Sequence, residues 1–192
     1  MPTEYEKFYS KYATKDLYNT IAYYAREKAI HLFGFGILVG AAINHIKSYA
    51  PLIEVGAGSG YWAYELQSDG IDIIATDSTP VDRNWYGFKK QWVQIDVIDA
   101  VTAVKSHPAR TLLMVWPCYK KPWACDALHA YKGNTFIYCG EQYGGCTADS
   151  SFHVLLEQEW AQTKTLPLLS WSGIYDQLII YTRKCAPQLQ RK

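Results

Sequence analysis

Three glycines occupy every second position of residues 56–60, Gly56-Ala57-Gly58-Ser59-Gly60. The apolar run Leu52–Val55 leads in, and the acid Glu54 stands two residues ahead of the first glycine. Glycine at this density marks backbone that takes φ > 0 or lies very close to another group. That group is either a ligand or a helix packed on the turn. A second carboxylate weighs for the ligand. The next apolar run, "IDIIATD", ends at Asp77, 19 residues after Gly58. A carboxylate at the end of a neighbouring strand accepts two hydrogen bonds from a ribose diol, so the pair points to a nucleoside-containing ligand.

The spacing bears on which nucleoside. The dinucleotide fingerprint is G-x-G-x-x-G, with its last glycine where the helix meets the sheet. Here the pattern is G-x-G-x-G, and the bulky Tyr61 stands where that glycine would be. A nicotinamide-dependent oxidoreductase is therefore disfavoured. Neither a G-x-S-x-G nucleophile elbow nor a Walker A loop occurs. Two further places carry chemistry-bearing side chains. One is the step Trp116-Pro117-Cys118-Tyr119 after the run "TLLMV". The other is Glu141, at the head of the glycine-rich stretch "GEQYGGCTADSSFH". Glu141 could orient a nucleophile or act as base. Asp149 suits a helix cap as well as a site, His153 suits packing, and Lys120 and Lys121 suit a solvated loop.

Elements that would position these residues follow from periodicity. Leu17, Ile21, Tyr24, Ala25, Ala29 and Leu32 recur at steps of three and four and predict an amphipathic helix over 15–32. A second helix is predicted over 37–48, and Pro51 ends it. Strands are predicted at "LIEVG", "IDIIATD", "WVQIDV", "TLLMVWP" and "TFIYCGE". Helices are predicted at "YWAYELQSDG", "PWACDALHAYKG" and, capped by Ser150 or Ser151, "SSFHVLLEQEW". Two last strands, "TKTLPLLSW" and "YDQLIIYTRK", flank a turn around Gly173. Continuous apolar strands alternating with helices predict an α/β fold with a mostly parallel sheet. The short final connection makes its strand pair antiparallel.

The motif E-x-G-x-G-x-G with its strand pattern resembles motif I of the class I S-adenosylmethionine-dependent methyltransferases, over roughly residues 50–184. More narrowly, "RTLLMVWPCY", "YKGNTFIYCGE" and "LPLLSWSGIYDQLIIYTRK" resemble an uncharacterised group of predicted methyltransferases with a W-P-P-like fourth strand and a G-E step after the fifth. The resemblance implies a Rossmann-like methyltransferase fold: a mostly parallel, seven-strand-type sheet with a C-terminal antiparallel hairpin and an N-terminal helical cap. Residues 1–50 would form the cap, 51–186 the cofactor-binding unit and 187–192 a tail, the whole one folded unit. It implies S-adenosylmethionine as cofactor. The binding residues would be Glu54, Gly56, Ala57, Gly58, Ser59 and Gly60, with Asp77 on the ribose, Asp96 by the adenine amine, and Trp116. Trp116, Pro117, Tyr119 and Glu141 would serve the methyl acceptor. Amino-methylating relatives carry a polar residue, two prolines and an aromatic at the fourth strand's end. Here Trp116 replaces the polar acceptor, and its nitrogen only donates. An aromatic box of Trp116 and Tyr119 is the expectation instead.

The composition narrows the rest. Its net charge of +1 gives no basic excess of the kind nucleic-acid binders carry. With the aromatic pocket, this favours a small-molecule acceptor over RNA or DNA. A non-catalytic S-adenosylmethionine-binding module is the rival reading. Cys118 and Cys125, like Cys139 and Cys146, are separated by six residues, wider than zinc pairs use, so no metal is expected. The cysteines read as reduced, mostly buried thiols of a cytoplasmic protein. Residues 1–16 lack the apolar core of a secretory signal. The most apolar window, 29–43, is shorter than the ~20 residues that span a bilayer.

Overall fold

The computed structural model describes residues 1–16 and 18–185. Leu17, counted above among the apolar helix positions, and residues 186–192, with the expected tail, lie outside the described residues. Seven strands form one sheet: β1 (Leu52–Val55), β2 (Ile73–Asp77), β3 (Ile95–Val97), β4 (Thr111–Val115), β5 (Thr135–Gly140), β6 (Trp160–Pro167) and β7 (Gln177–Arg183). Their order is β3-β2-β1-β4-β5-β7-β6. The first five are parallel, and β7 runs antiparallel to both β5 and β6. This is the expected Rossmann-like arrangement with its terminal hairpin.

The central strands are buried on both faces, which explains their unbroken apolar runs. Leu112 and Met114 of β4 join one core with Ile53, Val55, Phe136 and Tyr138, beneath α5 (Ala100–Ser106), α6 (Trp123–Ala130) and α7 (Ser150–Glu159). Leu113 joins the other core with Leu52, Ile73, Ile137 and Ile180. That face is covered by α1 (Glu4–Tyr12), α2 (Thr20–Phe33), α3 (Gly40–Lys47) and α4 (Tyr61–Ser68).

Several elements differ from the sequence reading. Helix α1 was not expected. It is opened by a capping box in which the Thr3 hydroxyl accepts the Glu6 N–H at 3.1 Å and the Glu6 carboxylate accepts the Thr3 N–H at 2.9 Å. Helix α5, also not expected, is capped by Asp99. Helix α2 starts at Thr20, five residues later than predicted, because the Asn19 side chain accepts the Ala22 N–H and caps it there. Its buried face is Ala22, Ala25, Ala29, Ile30 and Phe33. Ile21 and Tyr24, expected inside, are 70% and 67% exposed. The small alanines let α2 lie close, and the tyrosines face out. Residues 37–39 are extended, so α3 is shorter than predicted. Asp149, not a serine, caps α7. The edge strand β6 begins at Trp160, where α7 ends. It stops at Pro167, short of the predicted 171, because proline has no N–H for the ladder.

Helix α1 is fastened to the segment between β6 and β7. The Tyr9 hydroxyl donates to the Ser170 carbonyl at 2.9 Å, and the Trp171 indole donates to the Tyr5 hydroxyl at 3.1 Å. Among the described residues no helix is long and apolar enough to cross a membrane. All five cysteines are free, and only Cys139 is buried, which corrects the expectation that most are.

Candidate ligand-binding site

The sheet changes winding direction between β1 and β4, and ligands of open α/β sheets bind at the carboxyl ends of strands at that point. There the chain leaves β1 through Gly56 (φ 70°), Ala57, Gly58 (φ 57°), Ser59 and Gly60 to enter α4. The loop is tied to the end of β2. The Gly58 N–H donates to Asp77 Oδ2 at 2.9 Å, and the Ala57 N–H donates to the Thr76 carbonyl at 2.9 Å. Asp77 Oδ1 accepts the Thr79 N–H at 3.0 Å and its hydroxyl at 3.2 Å. Glycine is required by close approach as well as by φ. A Cβ on Gly56 would come within 2.7 Å of the Trp123 ring, and one on Gly58 within 2.9 Å of Phe88.

Over this loop lies a cavity of about 350 Å³, within the size range of small-molecule sites. Glu54, Asp77 and Asp99 supply its carboxylates. Its aromatic walls come from three places. Phe35 and Gly36 belong to the connection between α2 and α3. Trp85, Tyr86 and Phe88 belong to the loop between β2 and β3. Trp116 and Trp123 follow β4. Phe35 stacks on Trp116 with centroids 4.9 Å apart and planes 12° apart, and meets Tyr86 edge-on at 4.9 Å. The first wall is pinned to the glycine loop and α4: the Ser59 hydroxyl donates to the Phe33 carbonyl at 3.0 Å, and the Trp62 indole to the Gly36 carbonyl at 2.9 Å.

The electrostatics are uneven. Glu54 is 2% exposed, and among the described residues its Oε2 has no hydrogen-bond partner. Burial pushes its carboxyl up to about 8, and the nearby charge of Asp77 adds to the rise. Behind Trp116, the buried Asp176 accepts the Trp116 indole N–H at 2.7 Å. Burial lifts Asp176 to about 7, against the pull of that hydrogen bond. A buried acid with an unused oxygen, on a residue that borders a cavity, suits a cationic or donor group.

Of the residues singled out in the sequence, Glu54, Gly56, Ala57, Gly58, Ser59, Asp77 and Trp116 all border this one cavity. Gly60 does not; its Cα faces Val93 and Ile95. Asp96 does not either. It lies exposed on β3, opposite Thr76, and the acid that borders the cavity is Asp99, three residues on. Tyr119 is 51% exposed beside Lys120 and does not border the cavity. Pro117 is buried outside the lining.

Glu141 does not border the cavity either. Its carboxylate accepts the Cys146 N–H at 2.7 Å and the Tyr175 N–H at 2.9 Å, and its carbonyl accepts the Tyr138 and Thr147 hydroxyls. These bonds close its loop. Asp149 is a cap, and a ring nitrogen of His153 lies 3.0 Å from the Thr147 carbonyl. Lys121, expected on a solvated loop, is exposed and also borders the cavity. Phe35, Tyr86, Phe88, Asp99 and Asp176 were not singled out, because they lie in irregular segments without periodicity.

No protein-family model and no curated protein matches the chain. Solved structures do. Magnesium protoporphyrin IX methyltransferase from Synechocystis PCC 6803, with bound SAM, has TM-score 0.54 and 9% identity over 95% of this chain and 92% of that one. The PH0226 protein from Pyrococcus horikoshii OT3 has TM-score 0.53 and 12% identity over 93% of this chain and 99% of that one. 1,6-Didemethyltoxoflavin-N1-methyltransferase from Burkholderia thailandensis, bound to 1,6-didemethyltoxoflavin and S-adenosylhomocysteine, has TM-score 0.50 and 15% identity over 76% of each chain. The fold of this chain is the Rossmann-like methyltransferase fold.

Proposed function

We propose that the chain is an S-adenosylmethionine-dependent methyltransferase whose acceptor is a small molecule. The observation that carries the reading is the buried Glu54 Oε2, without a partner among the described residues, on a residue that borders the same cavity as the glycine loop and Asp77. An amino acid linked to a nucleoside suits that set of groups. Glu54 would hold the ammonium. Asp77 would hold the ribose: three of its roughly four acceptor positions are used within the protein, and rotation of the Thr79 hydroxyl frees another. Asp99 would accept from the adenine amine. Bound there, S-adenosylmethionine supplies a methyl group on a good sulfonium leaving group.

The protein's own part is alignment and exclusion of water. Phe35, Tyr86 and Trp116 make a dry wall whose ring faces also attract a cation. The two neighbours named as methyltransferases were solved with SAM or S-adenosylhomocysteine, and one is named for a porphyrin, a flat conjugated acceptor. Both facts support the reading at the level of fold.

Calorimetric titration with S-adenosylhomocysteine tests it. Wild type binds at micromolar concentration. Asp77→Ala weakens binding at least tenfold, about 1.4 kcal/mol, while circular dichroism shows both folded. Folded wild type that does not bind would overturn the proposal.

A further inference from the structure

We propose that Asp176 is a positioning residue for the methyl acceptor: it locks the Trp116 indole as a flat wall of the cavity, and that wall selects a flat, conjugated acceptor. The inference rests on the methyltransferase reading of the same cavity.

Trp116 is held against its own preference. Its φ of 50° lies in the left-handed region, which a bulky residue rarely adopts. Two bonds hold it there. Its backbone N–H donates to the Cys139 carbonyl at 2.8 Å, and its indole N–H donates to Asp176 Oδ1 at 2.7 Å. The second bond crosses 60 residues of chain and is short, as bonds to a carboxylate are. Asp176 lies behind the ring and does not border the cavity. Its own N–H donates to the Ser170 hydroxyl at 3.2 Å.

The consequence for recognition is chemical. An indole has one donor and no acceptor. With that donor committed to Asp176, Trp116 offers the cavity only its carbon surface. Phe35 stacks on it, and Tyr86 closes the corner. Parallel and edge-on rings reward a flat π-surface over a saturated one of the same size.

The lock also carries a pH signature. The ionisable groups around Asp176 are Arg26 of α2, Tyr5 of α1, Tyr138 and Cys139 of β5, and Glu141 after it. Arg26 pulls the carboxyl down and Glu141 pushes it up. Burial outweighs both and places it at about 7. Protonation near neutrality weakens the bond from the indole.

The test uses the full chain labelled with 5-fluorotryptophan and saturated with S-adenosylhomocysteine. The Trp116 fluorine resonance is assigned with Trp116→Phe. In wild type this resonance titrates with a midpoint near pH 7 and shifts when quinoline is added, but not when its saturated analogue decahydroquinoline is added. Asp176→Asn abolishes the titration. Asp176→Leu weakens quinoline at least tenfold and changes S-adenosylhomocysteine affinity less than threefold. If Asp176→Leu does not fold, wild type and Asp176→Asn decide, by the pH titration together with the response to quinoline and decahydroquinoline. A Trp116 resonance indifferent to pH or to quinoline, or equal response to the saturated analogue, overturns the inference. Failure of wild type to bind S-adenosylhomocysteine sinks the methyltransferase reading instead, and the two failures are read separately.

Discussion

Replacing Glu54 with glutamine should make the protein more stable in alkaline solution and at the same time poorer at holding its ligand. The folded protein keeps the Glu54 proton up to about pH 8, against an ordinary value of 4.5, mainly because the side chain is buried. A proton held more tightly in the folded state stabilises fully below pH 4.5. That stabilisation is lost as pH rises through 4.5 to about 8. At about 1.4 kcal/mol per pH unit the whole loss is about 5 kcal/mol, of which about 2–3 kcal/mol falls between pH 6 and pH 9. Because Glu54 is all but fully buried, solvent screening takes little off that figure.

Guanidinium denaturation at pH 6 and pH 9 measures it. Wild type should lose this amount beyond any loss shared with Glu54→Gln. The ligand gives the converse. An ammonium pairing with ionised Glu54 must first displace its proton, so the Kd for S-adenosylhomocysteine should fall about tenfold per pH unit from pH 6 towards pH 8 in wild type. In Glu54→Gln it should stay flat. Equal stability loss in both proteins, together with a pH-independent Kd in wild type, would refute the reasoning.

Three further outcomes are expected. Gly70→Ala, at φ 76° with open space around it, should cost about 1–2 kcal/mol for the left-handed backbone alone. Gly56→Ala, at φ 70° against the Trp123 ring, should cost clearly more and weaken S-adenosylhomocysteine at least tenfold; equal costs by denaturation would mean the ring gives way. Glu141→Gln should lower stability by about 1–3 kcal/mol, because two backbone N–H groups lose a charged acceptor. Its ligand affinity should stay within threefold, and the reverse pattern in the same two assays would return Glu141 to the site. Tyr119→Ala, at an exposed position, should change stability by no more than about 0.5 kcal/mol, and a larger loss on denaturation would mean the ring packs against something.

The sheet was legible because its strands are buried on both faces and carry an unbroken apolar signal, as "TLLMV" shows. The glycine loop was legible because φ > 0 and close approach both demand glycine. Helix α1 was written in the sequence as well, in the capping pattern Thr3-x-x-Glu6 and in Tyr5, Phe8, Tyr9 and Tyr12 at steps of three and four, but those rings are interleaved with charged residues that read as a polar terminus. Helix α5 is short and rich in β-branched residues, so periodicity could not reveal it.

The cavity's walls were the least legible. Phe35 and Tyr86 sit in irregular segments where side-chain direction follows from tertiary contacts. Glu141 was ambiguous for a physical reason: an acid after a strand suits a catalytic base and a loop clasp equally, and the bonds from the Cys146 and Tyr175 amides show only in the fold. Asp176 was out of reach because nothing local marks a residue that meets its partner 60 positions away.

The fastening of Tyr5 and Tyr9 to Ser170 and Trp171 sets an order of events during biosynthesis. At ribosomal rates of about 5–20 residues per second, roughly 10–30 s separate the emergence of the two partners. The parallel strands can pair as they emerge, and α1 already has Phe33, Leu38 and Tyr61 to pack on, but its seat is incomplete until the hairpin segment arrives. The connection that carries Phe35 follows α2, and the Phe35 carbonyl accepts the hydroxyl of Tyr5 at 3.5 Å. A nascent chain would thus pair its five parallel strands before it completes its cavity. Contacts of such sequence separation slow folding, so ligand capture would report the docking of the segment between β6 and β7.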